Sequence, residues 1–485
     1  MSEEVFHIIV KKKNNRVTRH VVKTGAIDKE FVDNAFLRKK KDLKSDDSAA
    51  KAVDAPALVR SPYPKNFLEV ERAFSQAMLM YRSSVIETIR IAPVLASIHL
   101  GEGIEKVCKT RGAKVDALSE GEVEVYSLPE HALSAFMRYS DRARALIDGA
   151  DHLPAISAIG ILSSYDAILS DLLKVVFSIK PEMIFTSDRE IKFSDLAAFG
   201  SISEARDSIV SNEIDGVMRQ SHHEQFSWME KKFAMKLTEG LDVWPEFVEL
   251  CERRNLLTHT GGVVSGQYLK NCEHYGKPAT HSVGDKLEVD LDYLKRAVEI
   301  VSEIGFKLIH TLWRKFAPRD LETSDSTLNA CGMNLIASKE YSLAEKLLSF
   351  GVYQKRHHSD RLKRMMIVNL ANSAKLQGHQ DRCNEQLASH DWSATSYQFQ
   401  ISVAAVKNDF PGVARLLMLG GDVIELSSSD FRDWPVFGDA RKDAEVQTAF
   451  EKVYGEPLNK HDPVDAPPVN TEVELVDGEE IEKKV

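Results

Sequence analysis

Apolar residues recur at helical spacing through most of this chain, and no other feature restricts its possible folds as strongly. The longest example is LPAISAIGILSSYDAILSDLLKVVFSI, residues 153–179, which is apolar enough to be the central helix of a bundle. Asp166, Asp171 and Lys174 interrupt it, so it is poorly suited to crossing a bilayer, and no membrane contact is expected. The pattern therefore predicts a mainly α-helical protein.

Further amphipathic segments complete a predicted four-helix bundle over residues 151–317. They are HHEQFSWMEKKFAMKL, DVWPEFVELCERRNLLTH and DLDYLKRAVEIVSEIGFKLIHTLWRKF. Pro245 suits the first turn of its helix, and Pro318 follows the end of the last one. Residues 187–220 resemble an insertion between the first two helices, carrying short helices with an early serine as a possible cap.

A weak internal repeat predicts stacked helical hairpins over residues 318–455. ASKEYSLAEKLL, AKLQGHQDRCNEQL and AVKNDFPGVARLL each contain a small residue, a polar turn and an amphipathic helix. They begin at Ala337, Ala374 and Ala405, so the spacings of 37 and 31 residues bracket the tetratricopeptide period of about 34. The region resembles tetratricopeptide hairpins, which implies a surface for a protein partner or trigger.

The two ends of the chain carry opposite charge. Residues 1–44 hold twelve Lys and Arg against six Asp and Glu, whereas residues 456–485 hold nine acids against three lysines. EVFHIIV and RVTRHVV flank KKKNN, which predicts a basic hairpin and then a linker in residues 1–64, giving a small α+β N-terminal region. Residues 65–150 are predicted to be helical, and residues 456–485 a disordered acidic tail.

Charge and cysteine content restrict the class of protein. The net charge of −10 argues against a protein that coats nucleic acid nonspecifically. The basic residues 1–44 could still attract RNA, or they could simply be solvated. The five cysteines are scattered without a C-x-x-C pair, which indicates a reducing compartment. The first residues, MSEEVFHIIV, lack a signal pattern. We therefore expect a cytoplasmic protein.

The stretch RRNLLTHTGG, residues 253–262, allows two interpretations. Helices often end with glycine and carry cations in the last turn, because the C-terminal end of the helix dipole favours positive charge. Two arginines and a histidine before Gly261 and Gly262 fit this structural interpretation without any function. The alternative is a functional site.

Helical geometry favours the functional interpretation. The preceding turns carry one apolar stripe, formed by Trp244, Phe247, Val248 and Cys251. Asn255 continues this stripe, His259 follows four residues later on nearly the same face, and Arg254 is one helical step from Asn255. Polar groups on a face that should be buried are either satisfied inside a bundle or bind something at its end.

The segment ERRNLLTH resembles the signature of HEPN domains, in which an Arg and a His are separated by four to six residues at the end of the third of four helices. Here Arg254, the adjacent Asn255 and His259 match it, and the helical context of residues 151–317 agrees. The long stretch 187–220 departs from a minimal HEPN domain. The resemblance implies a metal-independent endoribonuclease without a cofactor, with a composite site in a homodimer.

The chemistry that the resemblance implies suits these residue types. Attack of a ribose 2′-OH on the adjacent phosphate needs proton transfer, which imidazole supports near neutral pH, so His259 is the candidate for it. Arg254 would clamp the phosphate and Asn255 would orient the imidazole or the phosphate. Arg253 is a second candidate phosphate contact, and Glu224 a candidate carboxylate behind the site.

HEPN domains are typical of toxins and abortive-infection effectors, so the resemblance implies a stress or anti-phage role acting on RNA. The alternative is a non-catalytic HEPN scaffold in which Arg254 and His259 hold a dimer together, since a fold does not fix a function. No metal site is predicted. HHEQF resembles the zinc-protease pattern, but its second histidine would fall at Ser227, and Cys272, His274 and His281 lack a fourth ligand.

Overall fold

The computed structural model describes residues 6–13, 16–24, 66–111, 113–114, 126–127, 130–183, 199–278 and 280–458. The chain forms two compact units, Met1–Arg60 and Ser61–Val485. In the first unit, strands β1 (Phe6–Lys13) and β2 (Arg16–Thr24) pair antiparallel, with a register irregularity at Lys11 and Lys12. The predicted α+β character of the N-terminal region stays a prediction. The linker of residues 38–64 and nearly all of the acidic tail lie outside the described residues.

The second unit is mainly helical, as the sequence predicts. Its first part contains α1 (Phe67–Met80), a π-helical turn (Tyr81–Val85), α2 (Ile86–Arg111), a two-residue strand pair (β3, Ala113–Lys114; β4, Tyr126–Ser127) and α3 (Glu130–Ile179). Then follow α4 (Ile202–Met218), α5 (His222–Phe233), α6 (Trp244–Thr260), α7 (Gly266–His274) and α8 (Leu291–Phe316). The serine before α4 caps it as predicted, since Ser201 accepts from the Glu204 N–H.

The second half of α3 lies at the centre of the packing. It contacts α1, α4, α6 and α8, and α8 also contacts α1 and α6. Ile161, Leu162, Leu173 and Val176 on α3 are fully buried, and each such side chain stabilises the fold by about 1.5–3 kcal/mol. The helix with the most continuous apolar sequence is therefore one of the two helices, with α8, around which the others pack.

α3 runs without interruption through the boundary that we predict at residues 150 and 151. Pro154 lies inside it, where the missing N–H costs one hydrogen bond without ending the helix. The first part of α3 packs along α2, and these two helices form a pair that we call the arm (residues 86–111 of α2 and 130–156 of α3). The segments that the sequence suggests as separate helices are thus one.

The C-terminal part contains eight more helices in sequence order. They are α9 (Leu321–Ala337), α10 (Tyr341–Val352), α11 (Asp360–Leu376), α12 (Gln380–Ala388), α13 (Tyr397–Val406), α14 (Phe410–Gly420), α15 (Ser428–Asp433) and α16 (Ala444–Tyr454). Lys339, Gly378 and Asn408 adopt positive φ in the turns after α9, α11 and α13. Each residue that follows them donates its N–H to the carbonyl five residues earlier, which ends the helix and reverses the chain.

Among the described residues, one helical stretch, Met137–Ile179, is long and apolar enough to cross a membrane, by length and composition only. Of its most apolar window, 44% is buried inside the molecule.

Candidate active site

The candidate motif lies at the C-terminal end of α6. Pro245 occupies the first turn as predicted. Gly261, with φ of 62°, ends the helix in the left-handed conformation, and the Gly262 N–H donates to the Leu256 carbonyl at 3.0 Å. Gly262 also has positive φ, and a Cβ there would lie 2.8 Å from the Leu287 carbonyl oxygen. The two glycines therefore have structural roles, one as a cap and one in a close approach of two chain segments.

Arg254 lies where α6 meets α3 and α5. Its Nη2 is 3.6 Å from Oδ2 of Asp166 on α3, and the Nε2–H of His222 on α5 donates to Oδ1 of the same carboxylate at 2.9 Å. The side chains of Arg254 and Asp166 keep 25% and 29% of their surface exposed. One carboxylate thus connects a guanidinium and an imidazole from two other helices and leaves the guanidinium accessible to solvent.

Apolar and aromatic side chains enclose the inner side of this cluster. The His222 residue is 6% exposed, and its ring packs edge-on against Phe247 with centroids 5.8 Å apart. Burial raises the pKa of the neighbouring Cys251 thiol, so this cysteine is not an activated nucleophile. The Tyr165 hydroxyl, Arg254 Nε and Gln225 Oε1 are buried without a hydrogen-bond partner in the described part of the chain. The outer edge of the guanidinium is therefore the part of Arg254 that a ligand can reach.

Asn255 and His259 lie further along the same helix. Asn255 is partly exposed and His259 is exposed in the last turn. Five residues of an α-helix turn through about 140° and rise about 7.5 Å, so the His259 and Arg254 side chains leave α6 in different directions. Asn255 lies between them in angle.

Arg253 has partners other than the phosphate that the sequence suggests. Its Nε–H donates to Glu249 Oε1 at 2.8 Å, Nη1 donates to the Glu288 carbonyl at 3.0 Å, and the guanidinium stacks over the Tyr293 ring at 4.1 Å. Burial acts to lower the pKa of Arg253, but Tyr293 and Glu249 outweigh it and raise the pKa. The structure thus places Arg253 in an internal network and separates it from Arg254.

Glu249 is the centre of that network and is not evident from sequence. This buried carboxylate accepts hydrogen bonds from the Tyr268 hydroxyl at 2.8 Å and the Tyr293 hydroxyl at 2.9 Å, and Lys277 lies 3.7 Å away. Burial, reinforced by Glu249, raises the pKa of both tyrosines. The network attaches α7 and the start of α8 to α6.

Glu224 lies at the N-terminus of α5. Its carboxylate accepts from the Ser221 N–H at 3.0 Å and the Ser221 hydroxyl at 2.6 Å, forming a capping box. These hydrogen bonds lower the pKa of Glu224. The contacts of Glu224 are those of a helix cap, which sequence could have suggested from the S-x-x-E spacing.

Asp166 and His222 are the members of the cluster that the sequence does not identify as site residues. Asp166 has a detectable signal, because it interrupts the most apolar helix of the chain. His222 has none, since in HHEQF it cannot be distinguished from its neighbour His223 without the fold. Within the described ranges, no three His, Cys, Asp or Glu side chains are arranged to hold a metal ion.

The cluster could fix an anion through the exposed edge of Arg254, with an exposed imidazole at the same helix end for proton transfer. Comparisons with family models, with curated proteins and with solved structures yield no match.

Proposed function

We propose that the helices of residues 151–317 form an endoribonuclease of the HEPN type, with Arg254, Asn255 and His259 as catalytic residues. The observation that carries the proposal is the position of Arg254. Its guanidinium forms an ion pair with Asp166 at 3.6 Å, a quarter of the side chain remains open to solvent, and an exposed imidazole lies five residues further along the same helix. A pre-oriented guanidinium suits the charge that develops on the phosphate oxygens of a phosphodiester under attack.

His259 takes the proton of the ribose 2′-OH as that oxygen attacks the adjacent phosphorus. The bond from phosphorus to the 5′ oxygen breaks, and the leaving oxygen takes up a proton. The products are a 2′,3′-cyclic phosphate and a 5′-hydroxyl end, without metal or cofactor. Arg254 binds the phosphate oxygens, and Asn255 orients the imidazole or the phosphate.

The directions of the two side chains favour a site shared between two copies. Because Arg254 and His259 differ by about 140° around α6, one copy presents them to one phosphate less easily than two copies related by a twofold axis. The proposal therefore includes a homodimer in which the C-terminal ends of the two α6 helices face each other.

The other regions would control the nuclease. Stacked hairpins α9–α14, whose repeat spacing resembles the tetratricopeptide period, would bind a protein partner or trigger, and the basic residues 1–44 would add RNA contacts. A cytoplasmic stress or anti-phage effector fits such an enzyme.

The test is RNA cleavage in the presence of EDTA. We expect Arg254→Ala and His259→Ala to lower the cleavage rate by at least about 100-fold, the typical contribution of one such group. Wild-type products should carry 2′,3′-cyclic phosphate ends. Matched controls at exposed positions, Arg219→Ala and His281→Ala, should cleave as the wild type does.

Asp166→Asn tests the arrangement itself. It removes the charge that orients Arg254 and His222, so cleavage should fall while the dimer persists. Asp171→Asn is the matched control, since Asp171 is similarly exposed on the same helix and pairs only locally with Lys174 in the described chain. Wild-type protein that leaves a broad set of RNAs intact, or a His259→Ala variant with full activity, would refute the nuclease.

A non-catalytic scaffold is the second candidate, and the same contacts favour it. Asp166, His222 and Arg254 join α3, α5 and α6, which is also what a purely structural cluster does. If no preparation cleaves RNA and Arg254→Ala dissociates the dimer, the scaffold is the better assignment.

A further inference from the structure

The arm exposes an unusual amount of apolar surface for two paired helices. On α2, Ile91, Val94, Leu95 and Ile98 keep 47–60% of their surface exposed. Their spacing of three, four and seven residues places them on one stripe, whereas Ile89 and Ala96, on another side of α2, are buried. An apolar stripe of this kind normally packs against another helix.

An apolar groove runs beside this stripe, between the two helices of the arm. It encloses about 600 Å³, and its lining contains only alanine, glycine, leucine and isoleucine: Ala92, Leu95, Ala96, Ile98, Ala145, Leu146, Gly149, Ala150 and Leu153. Small residues form much of the lining, so the backbone of another helix could approach closely. No described part of this chain fills the groove.

We propose that the arm is a self-association surface, occupied by the arm of a second copy of this chain. The arm carries both halves of such an interface. Leu95 and Ile98 project as a ridge on one wall of the groove, and the groove is lined by small residues that would receive the same ridge from a partner. Two arms packed about a twofold axis form a four-helix bundle and cover both apolar features.

The area of the arm is sufficient for a stable dimer. The stretch of α3 that flanks the groove, residues 137–156, is about 30 Å long, and two helices side by side are about 20 Å wide. One face of this stretch therefore offers about 600 Å² per partner, which reaches the lower end of stable interfaces.

Charged residues make lipid a poor occupant. Glu87 and Arg90, an exposed ion pair at 3.0 Å, lie on α2 next to the stripe. Arg138, Arg142 and Arg144 are exposed on the facing stretch of α3. Insertion of the arm into a bilayer would bring these charges toward hydrocarbon, whereas the rim of a protein interface leaves them in water.

The experiment measures the mass of the full chain in solution between about 1 and 50 μM by sedimentation and light scattering. Wild type should have the mass of a dimer of the 54.4 kDa chain. The Leu95→Glu, Ile98→Glu double variant should weaken dimerisation by at least about 100-fold, because two apolar contacts become desolvated charges.

Gly149→Trp provides a second route that spares the fold. A Cβ at Gly149 meets no atom within 4 Å, so the indole should fill the groove, prevent docking and leave the circular dichroism spectrum and the melting temperature near wild type. The matched control is Val283→Glu with Val423→Glu, exposed apolar residues outside the arm, which should dimerise as wild type.

Three outcomes overturn the inference: a monomeric wild type, arm variants that dimerise normally, or wild-type binding to phosphatidylcholine–phosphatidylserine vesicles that the arm variants lose. The inference rests on the arm alone, and RNA cleavage measured on the same samples separates it from the nuclease proposal. A dimer that does not cleave RNA contradicts only the nuclease. A monomer that cleaves RNA contradicts the arm interface and the site shared between two copies, but not the nuclease activity.

Discussion

At the scale of single residues, neighbours in sequence have different structural roles. Arg253 and Arg254 are adjacent, but a helix separates their side chains by about 100°. Arg253 stacks on Tyr293 within the network of Glu249, whereas Arg254 reaches Asp166 and keeps an exposed edge. Sequence identifies both as candidates, and only their partners distinguish a structural arginine from one available to a ligand.

His310 makes stability depend on pH. It is fully buried on α8, its Nδ1 is 3.1 Å from the Ser324 hydroxyl, and burial, helped by Arg314, lowers its pKa from 6.5 to about 3. The unfolded chain binds this proton more readily, so stability falls as the pH drops from about 6.5 toward 3. Between pH 7 and 5 the loss from His310 is about 2 kcal/mol.

Urea unfolding at both pH values checks this expectation. Between pH 7 and 5, the unfolding free energy of His310→Leu should fall by about 2 kcal/mol less than that of the wild type. The lost contact with Ser324 adds a destabilisation that is the same at both pH values. His281→Ala, at an exposed position, should keep the wild-type slope. An unchanged slope in His310→Leu would show that His310 is not the group responsible.

At the scale of elements, α6 is anchored on one side and open at its end. Glu249 joins it to α7 and α8 through two tyrosines and Arg253, while Gly261 ends the helix two residues after His259. A rigid helix that ends beside solvent is a suitable place to hold polar side chains in fixed directions.

Glu249→Ala should destabilise the protein by about 3–5 kcal/mol, because it leaves the buried Arg253 and two tyrosine hydroxyls without their acceptor. Hydrogen exchange should increase first in α7 and the loop before α8. Glu246→Ala is the control: its ion pair with Arg296 is about one-third exposed, so the cost should be at most about 1 kcal/mol. Equal costs for both variants would contradict the buried network.

At the scale of the whole molecule, one apolar core crosses the boundaries that we predict from sequence. Its members range from Phe67 to Leu458 and include Phe316 and Leu328 on either side of residue 317. A second, smaller cluster contains Leu256, Val264, Tyr268, Cys272 and Leu287. The segment after α15 packs across α9, α11 and α13. Trp434 Nε1 donates there to Asn369 Oδ1 at 2.7 Å, and Asn369 donates to Asn329 at 2.9 Å.

Trp434→Phe should therefore cost about 1–3 kcal/mol, because it leaves the buried Asn369 carbonyl without a donor. The effect should reach α9 and α11 as well as the C-terminal segment, which hydrogen exchange can resolve. In a double-mutant cycle, Asn369→Leu should lower the unfolding free energy less in the Trp434→Phe background than in the wild type. Additive costs would mean that the hydrogen bond contributes nothing beyond packing.

The amino-acid sequence by itself determined the helical class, the course of α6 from Pro245 to its glycine end, and the polar turns that end α9, α11 and α13. These features depend on periodicity and on backbone preferences, which act over a few residues. Tertiary structure alone decided that Asp166 and His222 join Arg254, that Arg253 belongs to Glu249, and that the arm exposes an apolar groove. Those outcomes depend on which helices meet and at which angle, and no local sequence pattern specifies these long-range contacts.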